Sequence, residues 1–236
     1  MNILRTYWQH SRSPFYSLIF TIPLLISYEL LIFSFNHSDI LGLRNGADIL
    51  FRQFFAMFNV YGFYLVGFFV LSVLLIAYYF HSRQNADHKF HFQFFILMFL
   101  ESALFALLMF VFIDKIGNYL IAIGTIPGKK EMIALALGAG VYEEFIFRVV
   151  LVSGFLFFLR DILRLQPHFA AVLAIVSASL IFSFFHYLGN YGDIFEMKSF
   201  LIRFGAGIFL SILYVLRGYG ITAYTHTLYD LLVIVL

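Results

Sequence analysis

Glu143, Glu144 and Arg148 stand near the middle of one long apolar stretch, residues 132–159. An ionisable group near the centre of a bilayer costs about 2.5–3.5 kcal/mol on insertion scales, so such groups face a polar interior and mark function. On a helix Glu144 and Arg148 are four apart and share a face, where they neutralise each other. Glu143 lies about 100° further round and is free to engage another group. The plain structural alternative is an ion pair that fixes helix packing, with the spare glutamate protonated. Two later apolar stretches also carry polar groups. Phe182-Ser183-Phe184-Phe185-His186 sets a histidine one turn after a phenylalanine; taken alone it reads as a packing residue. His226-Thr227-Leu228-Tyr229-Asp230 sets a carboxylate one turn beyond an imidazole, on the same face. A carboxylate that orients an imidazole recurs in catalytic and metal sites.

Attack of water on a carbonyl needs a base to take its proton and donors for the developing oxyanion. Glu143 with His186 can activate the water, and His226 can donate to the oxyanion. The set Glu143, His186, His226 and Asp230 can equally hold zinc with an open coordination position, which also activates water. Spacing leaves both routes open. The chain has no cysteine, so thiolate ligands, a cysteine nucleophile and disulfides are excluded.

The elements that carry these residues must lie in a membrane. Of 236 residues 62% are hydrophobic and 12% charged, with mean hydropathy +0.92, where a soluble domain has about 25% charged residues. That excludes a soluble enzyme and a disordered chain. A net charge of +2 offers no basic surface for nucleic acid. The expected fold is all-α, a polytopic transmembrane bundle of about seven spanning helices, forming a single integral membrane domain over 1–236. The apolar runs are 15–36, 58–80, 92–113, 132–159, 169–188, 199–216 and 221–236. They lack the alternation of barrel strands, so helices are expected.

Arg5 and Arg12 precede the first run, which reads as a retained signal anchor. The segment 114–131, with Pro127-Gly128 near its end, reads as an interfacial piece. Basic residues divide almost evenly between the two sets of loops, and the first segment favours an N-terminus inside. Glu29 or Glu101 is expected to pair with Arg203 across helices. His81, His88 and His91 read as a solvated loop. Gly138 and Gly140 read as places of close helix approach.

Glu143-Glu144-x-x-x-Arg148, then Phe182-x-x-x-His186, then His226-x-x-x-Asp230, in this order on successive late helices, resembles the CPBP intramembrane proteases. These include the CAAX prenyl endopeptidases and the bacteriocin-processing, or ABI, proteins. The matching region is 132–236, which the resemblance makes the catalytic core. It implies a helical membrane endopeptidase with Glu143 as base, Glu144 and Arg148 as a supporting pair, His186 positioning water, and His226 with Asp230 steadying the intermediate. The family includes enzymes called metal-independent and enzymes called zinc-dependent, so no cofactor is fixed and zinc stays open. In the CAAX-cleaving branch the last position is typically Asn; Asp230 weighs against a CAAX substrate.

The expected function is hydrolysis of a peptide bond in a membrane-associated protein or peptide, as C-terminal signal processing or sorting or CAAX-like cleavage, in a bacterial inner membrane. A proton-coupled transporter and a non-catalytic peptide-binding or immunity protein are the alternatives. A transporter predicts internal repeats, and none is evident. The resemblance also sets a geometric test. His186 lies late in its run and His226 before the middle of its own, about 13 Å apart along the axis for level helices. Tilt or stagger must close that gap.

Overall fold

Residues 219–227 are buried without a break, as only a helix enclosed on all sides can be. This helix is the centre of the computed structural model, which describes residues 3–35, 44–58, 91–116, 128–188 and 192–236, with the single positions 73, 75, 76, 78 and 79. Among the described residues every element is a helix. In chain order they are α1 (Ile3–Ser11), α2 (Pro14–Phe33), α3 (Gly46–Ala56), α4 (Gln93–Ile116), α5 (129–162), α6 (Pro167–Phe185), α7 (Met197–Arg217) and α8 (Tyr219–Val235). The enclosed helix is α8, which packs against α2, α4, α5 and α7.

Among the described residues four helices are long and apolar enough to cross a bilayer: α2, α4 within 93–113, α6 and α7. The protein is a helical membrane bundle. About seven spans were expected, and three of those are not among the four. The run 58–80 lies almost wholly outside the described residues, as do residues 117–127 of the interfacial piece and His81 and His88. Helix α5 has three charged groups at its centre, and α8 is only 17 residues long.

Helix α5 is one continuous helix that changes its winding. It is α-helical over Lys129–Gly138, then π-helical over Ala139–Glu143, Phe145–Val152 and Phe157–Ile162. The i→i+5 winding is rare, and within helices it is frequent at functional sites. One carbonyl of the first π segment finds an outside partner, as Tyr219 Oη donates to the Val141 oxygen at 2.9 Å. The wide winding sits where the chain is thinnest. A Cβ on Gly138 would lie 2.7 Å from Asn45 Cβ, and one on Gly140 2.5 Å from the Ala223 carbonyl oxygen. The two glycines therefore let α5 approach both the start of α3 and the middle of α8, as expected for close helix contacts.

A single residue, Gly218, joins α7 to α8. Its φ of 81° lies in the left-handed region that a side chain disfavours. Beside it Arg217 is buried, with its guanidinium over the Trp8 ring at 4.0 Å and bonded to Glu101 Oε2 at 2.7 Å. Glu101 also accepts from Tyr7. Glu29 pairs with Arg52 at 2.8 Å and with Arg44 at 3.4 Å, and Arg203 pairs with Asp193. The expected pairing of Arg203 with Glu29 or Glu101 is thus corrected. Each of those acids has a nearer arginine, two of them carried by α3 and the residue before its N-cap.

Candidate active site

Three helices meet at one phenyl ring. Phe182 on α6 has the Arg148 guanidinium of α5 over its face at 4.5 Å, the His186 ring at 4.9 Å and the His226 ring of α8 at 6.3 Å. The axial gap expected between His186 and His226 is therefore closed, with one side chain touching both. Helix α6 ends at Phe185 with His186 as its cap.

Glu144 and Arg148, both fully buried, form the expected pair, Oε2 to Nε at 3.1 Å. The other carboxylate oxygen, Oε1, lies 2.7 Å from His226 Nδ1. Nδ1 donates here, because an ionised carboxylate only accepts. His226 Nε2 faces Asp230 Oδ2 at 3.6 Å, too long for a hydrogen bond. The i,i+4 partner expected for His226 is thus the more distant of its two carboxylates, and the nearer comes from α5.

His186 Nδ1 lies 2.9 Å from the Phe182 carbonyl oxygen. A carbonyl cannot donate, so Nδ1 carries the proton and a neutral ring keeps Nε2 as an acceptor. The Asp193 amide donates to the His186 carbonyl at 2.9 Å and ties the following loop to this cap.

Glu143 lies within electrostatic reach of His186 and His226. Its Oε1 accepts from Asn45 Nδ2 at 2.8 Å, and 7% of the residue remains exposed, whereas Glu144 is sealed. Asn45 was missed in the sequence. It is the N-cap of α3, and its Oδ1 accepts from the Ala47 amide at 2.9 Å. The signal is present in Asn45-Gly46-Ala47-Asp48, a capping residue with an acid three residues on.

The zinc reading finds no matching donor set. Among the described residues no three His, Asp or Glu side chains come together as metal ligands. One atom of each of three candidates is engaged, His186 Nδ1 with a carbonyl, His226 Nδ1 with Glu144 and Glu143 Oε1 with Asn45, which leaves both Nε2 atoms and the second Glu143 oxygen open.

Residues 130–232 match the family described as Type II CAAX prenyl endopeptidase Rce1-like. No curated protein and no solved structure matches the chain. The matched region contains all six residues singled out in the sequence and leaves out Asn45. The match to a CAAX endopeptidase model holds with Asp230 in the last motif position. Residues 130–232 accordingly match the CPBP, or CAAX protease, family of membrane endopeptidases that the sequence motifs resemble.

Proposed function

We propose that the protein hydrolyses a peptide bond near the C-terminus of a membrane-associated protein or peptide, using a water activated by Glu143 without a metal. The observation that carries this reading is the meeting of α5, α6 and α8 around Phe182, with Glu143 in electrostatic reach of both histidines. Glu143 Oε1 is anchored by Asn45, so its second oxygen is the one that takes a proton from water. His186 Nε2 accepts the water's other hydrogen and fixes its direction. The water oxygen attacks the carbonyl carbon, and the carbonyl oxygen takes up negative charge. His226, with one N–H given to Glu144, offers a second N–H from Nε2 to that oxygen. Two carboxylates beside the ring compensate the charge of a doubly protonated imidazole. Glu143 then returns the proton to the leaving amine, which completes general base and general acid roles in one residue.

The substrate class is that of the matched family, a CAAX-like C-terminus. The whole chain acts as a single integral membrane domain, and its place is a bacterial inner membrane. The test is cleavage of a quenched fluorogenic peptide with a prenylated CAAX terminus, and of membrane-protein precursors from the host, by wild type, Glu143→Gln and His186→Ala. Each variant is checked for folding by thermal melting in detergent. Folded but inert variants support the reading, while a Glu143→Gln variant that cleaves like wild type overturns it.

A further inference from the structure

Asn45 touches the proposed base from outside the matched region, and every polar atom of its side chain is committed. Its Oδ1 holds the Ala47 amide and its Nδ2 holds Glu143 Oε1. A flipped amide would set oxygen against carboxylate and NH2 against an N–H, two repulsive contacts, so only one orientation satisfies both partners. The backbone is fixed as well. The Asn45 amide donates to Tyr28 Oη at 3.2 Å, and Tyr28 donates to Asp48 Oδ2 at 2.9 Å. Asp48 is fully buried and is clamped between Arg44 at 2.6 Å and Arg52 at 2.7 Å. Arg52 passes the charge on to Glu29, which also accepts from Tyr142, the neighbour of Glu143. Gly138 leaves the room for the Asn45 Cβ.

We infer that Asn45 is a positioning residue for peptide-bond hydrolysis: anchored by the Asp48 ion-pair lattice, it holds Glu143 Oε1 so that the other carboxylate oxygen meets the attacking water in one orientation. The inference rests on Glu143 being the base. A purely structural cap needs only the Ala47 contact, and the amide nitrogen on Glu143 is the part that a cap does not require. A displacement of about 1 Å at a reacting group can cost on the order of 100-fold in rate, and losing one of the carboxylate's anchors allows a displacement of that kind.

The test separates the two halves of the amide. Asn45→Ser and Asn45→Thr both keep a good N-cap but are too short to reach Glu143. With the quenched prenylated CAAX peptide as probe, kcat per folded protein falls about 10- to 100-fold, KM stays at the wild-type value and the melting temperature holds in at least one of the two. A wild-type kcat in a folded variant overturns the inference, and so does a raised KM with kcat unchanged, which would mark Asn45 as a substrate contact. Glu143→Gln runs alongside. If it is as active as wild type, the mechanism and the positioning role fail together; if it is inert while Asn45→Ser is fully active, the positioning role alone fails. Should wild type leave the probe uncut, infrared spectroscopy decides. The Glu143 carboxylate band, isolated by subtracting the Glu143→Gln spectrum, must move in the folded Asn45 variant, and an unmoved band overturns the contact.

Discussion

Glu144 bonds His226 more tightly than Asp230 does, at 2.7 Å against 3.6 Å, although Asp230 is its neighbour on the same helix and Glu144 comes from another. The central helix α8 is thus tied to α5 through a carboxylate that Arg148 already occupies from the other side. Two adjacent glutamates thereby have separate settings. Glu144 is enclosed between a guanidinium and an imidazole, and Glu143 retains some exposure and a single anchoring amide.

That enclosure makes Arg148 a severe position. Its guanidinium is fully buried and rests on Glu144 and the Phe182 ring, and among the described residues Nη1 and Nη2 have no hydrogen-bond partner. Removing one partner of a buried pair leaves an uncompensated charge and costs about 3–5 kcal/mol. Arg148→Met should lower the melting temperature in detergent sharply. Arg148→Met combined with Glu144→Gln, which removes both charges, should recover most of the loss. A double variant no more stable than Arg148→Met would show that Glu144 is not the group left stranded.

Asp230 should tolerate a change that the buried glutamate does not. Its side chain is 29% exposed and lies beyond hydrogen-bond distance of His226. A pair of that kind contributes about 0.2–1 kcal/mol, or roughly a fivefold rate effect at most. Asp230→Asn keeps the shape and should retain kcat/KM within about fivefold, whereas Glu144→Gln should lose far more. Equal losses in the two variants would mean that both carboxylates support His226 alike.

Metal removal should leave activity unchanged. Three of the four residues weighed as zinc ligands each give one atom to another partner, and no three of the described carboxylates and histidines are placed to hold a metal ion. Activity of the purified protein should survive prolonged chelation followed by exchange into metal-free buffer. A loss restored by zinc would overturn the metal-independent route.

Much of this site was legible in the sequence because helical spacing is local. Glu144 and Arg148 had to share a face, and His226 and Asp230 had to share another. What spacing along one helix does not encode is which of two carboxylates an imidazole meets across a bundle, so Glu144 as partner of His226 appears only in three dimensions. The same limit hid the partners of Glu29, Glu101 and Arg203. Helix α3 escaped for another reason. Its 11 residues include Asp48 and Arg52, so it does not stand out as an apolar run. The four described spans came from hydropathy alone, the strongest signal such a chain carries.

Gly140 and Gly154 lie on the same helix and should respond oppositely to alanine. At Gly140 a Cβ would come within 1.9 Å of Thr227 Oγ1 and 2.5 Å of the Ala223 carbonyl oxygen. The threonine can rotate, but a backbone carbonyl in the most enclosed helix cannot give way without moving α8 and His226 with it. Gly140→Ala should therefore lower the melting temperature and kcat together, because the Glu144–His226 contact lies one turn further along the same interface. At Gly154 a Cβ meets nothing within 4 Å among the described residues. There the substitution only removes backbone freedom from a helix, a gain of up to about 1 kcal/mol, and activity should stay at the wild-type level. Thermal melting and peptide cleavage measured on both variants check the pair. A Gly140→Ala protein as stable and active as Gly154→Ala would mean that α5 and α8 are further apart than the site geometry requires.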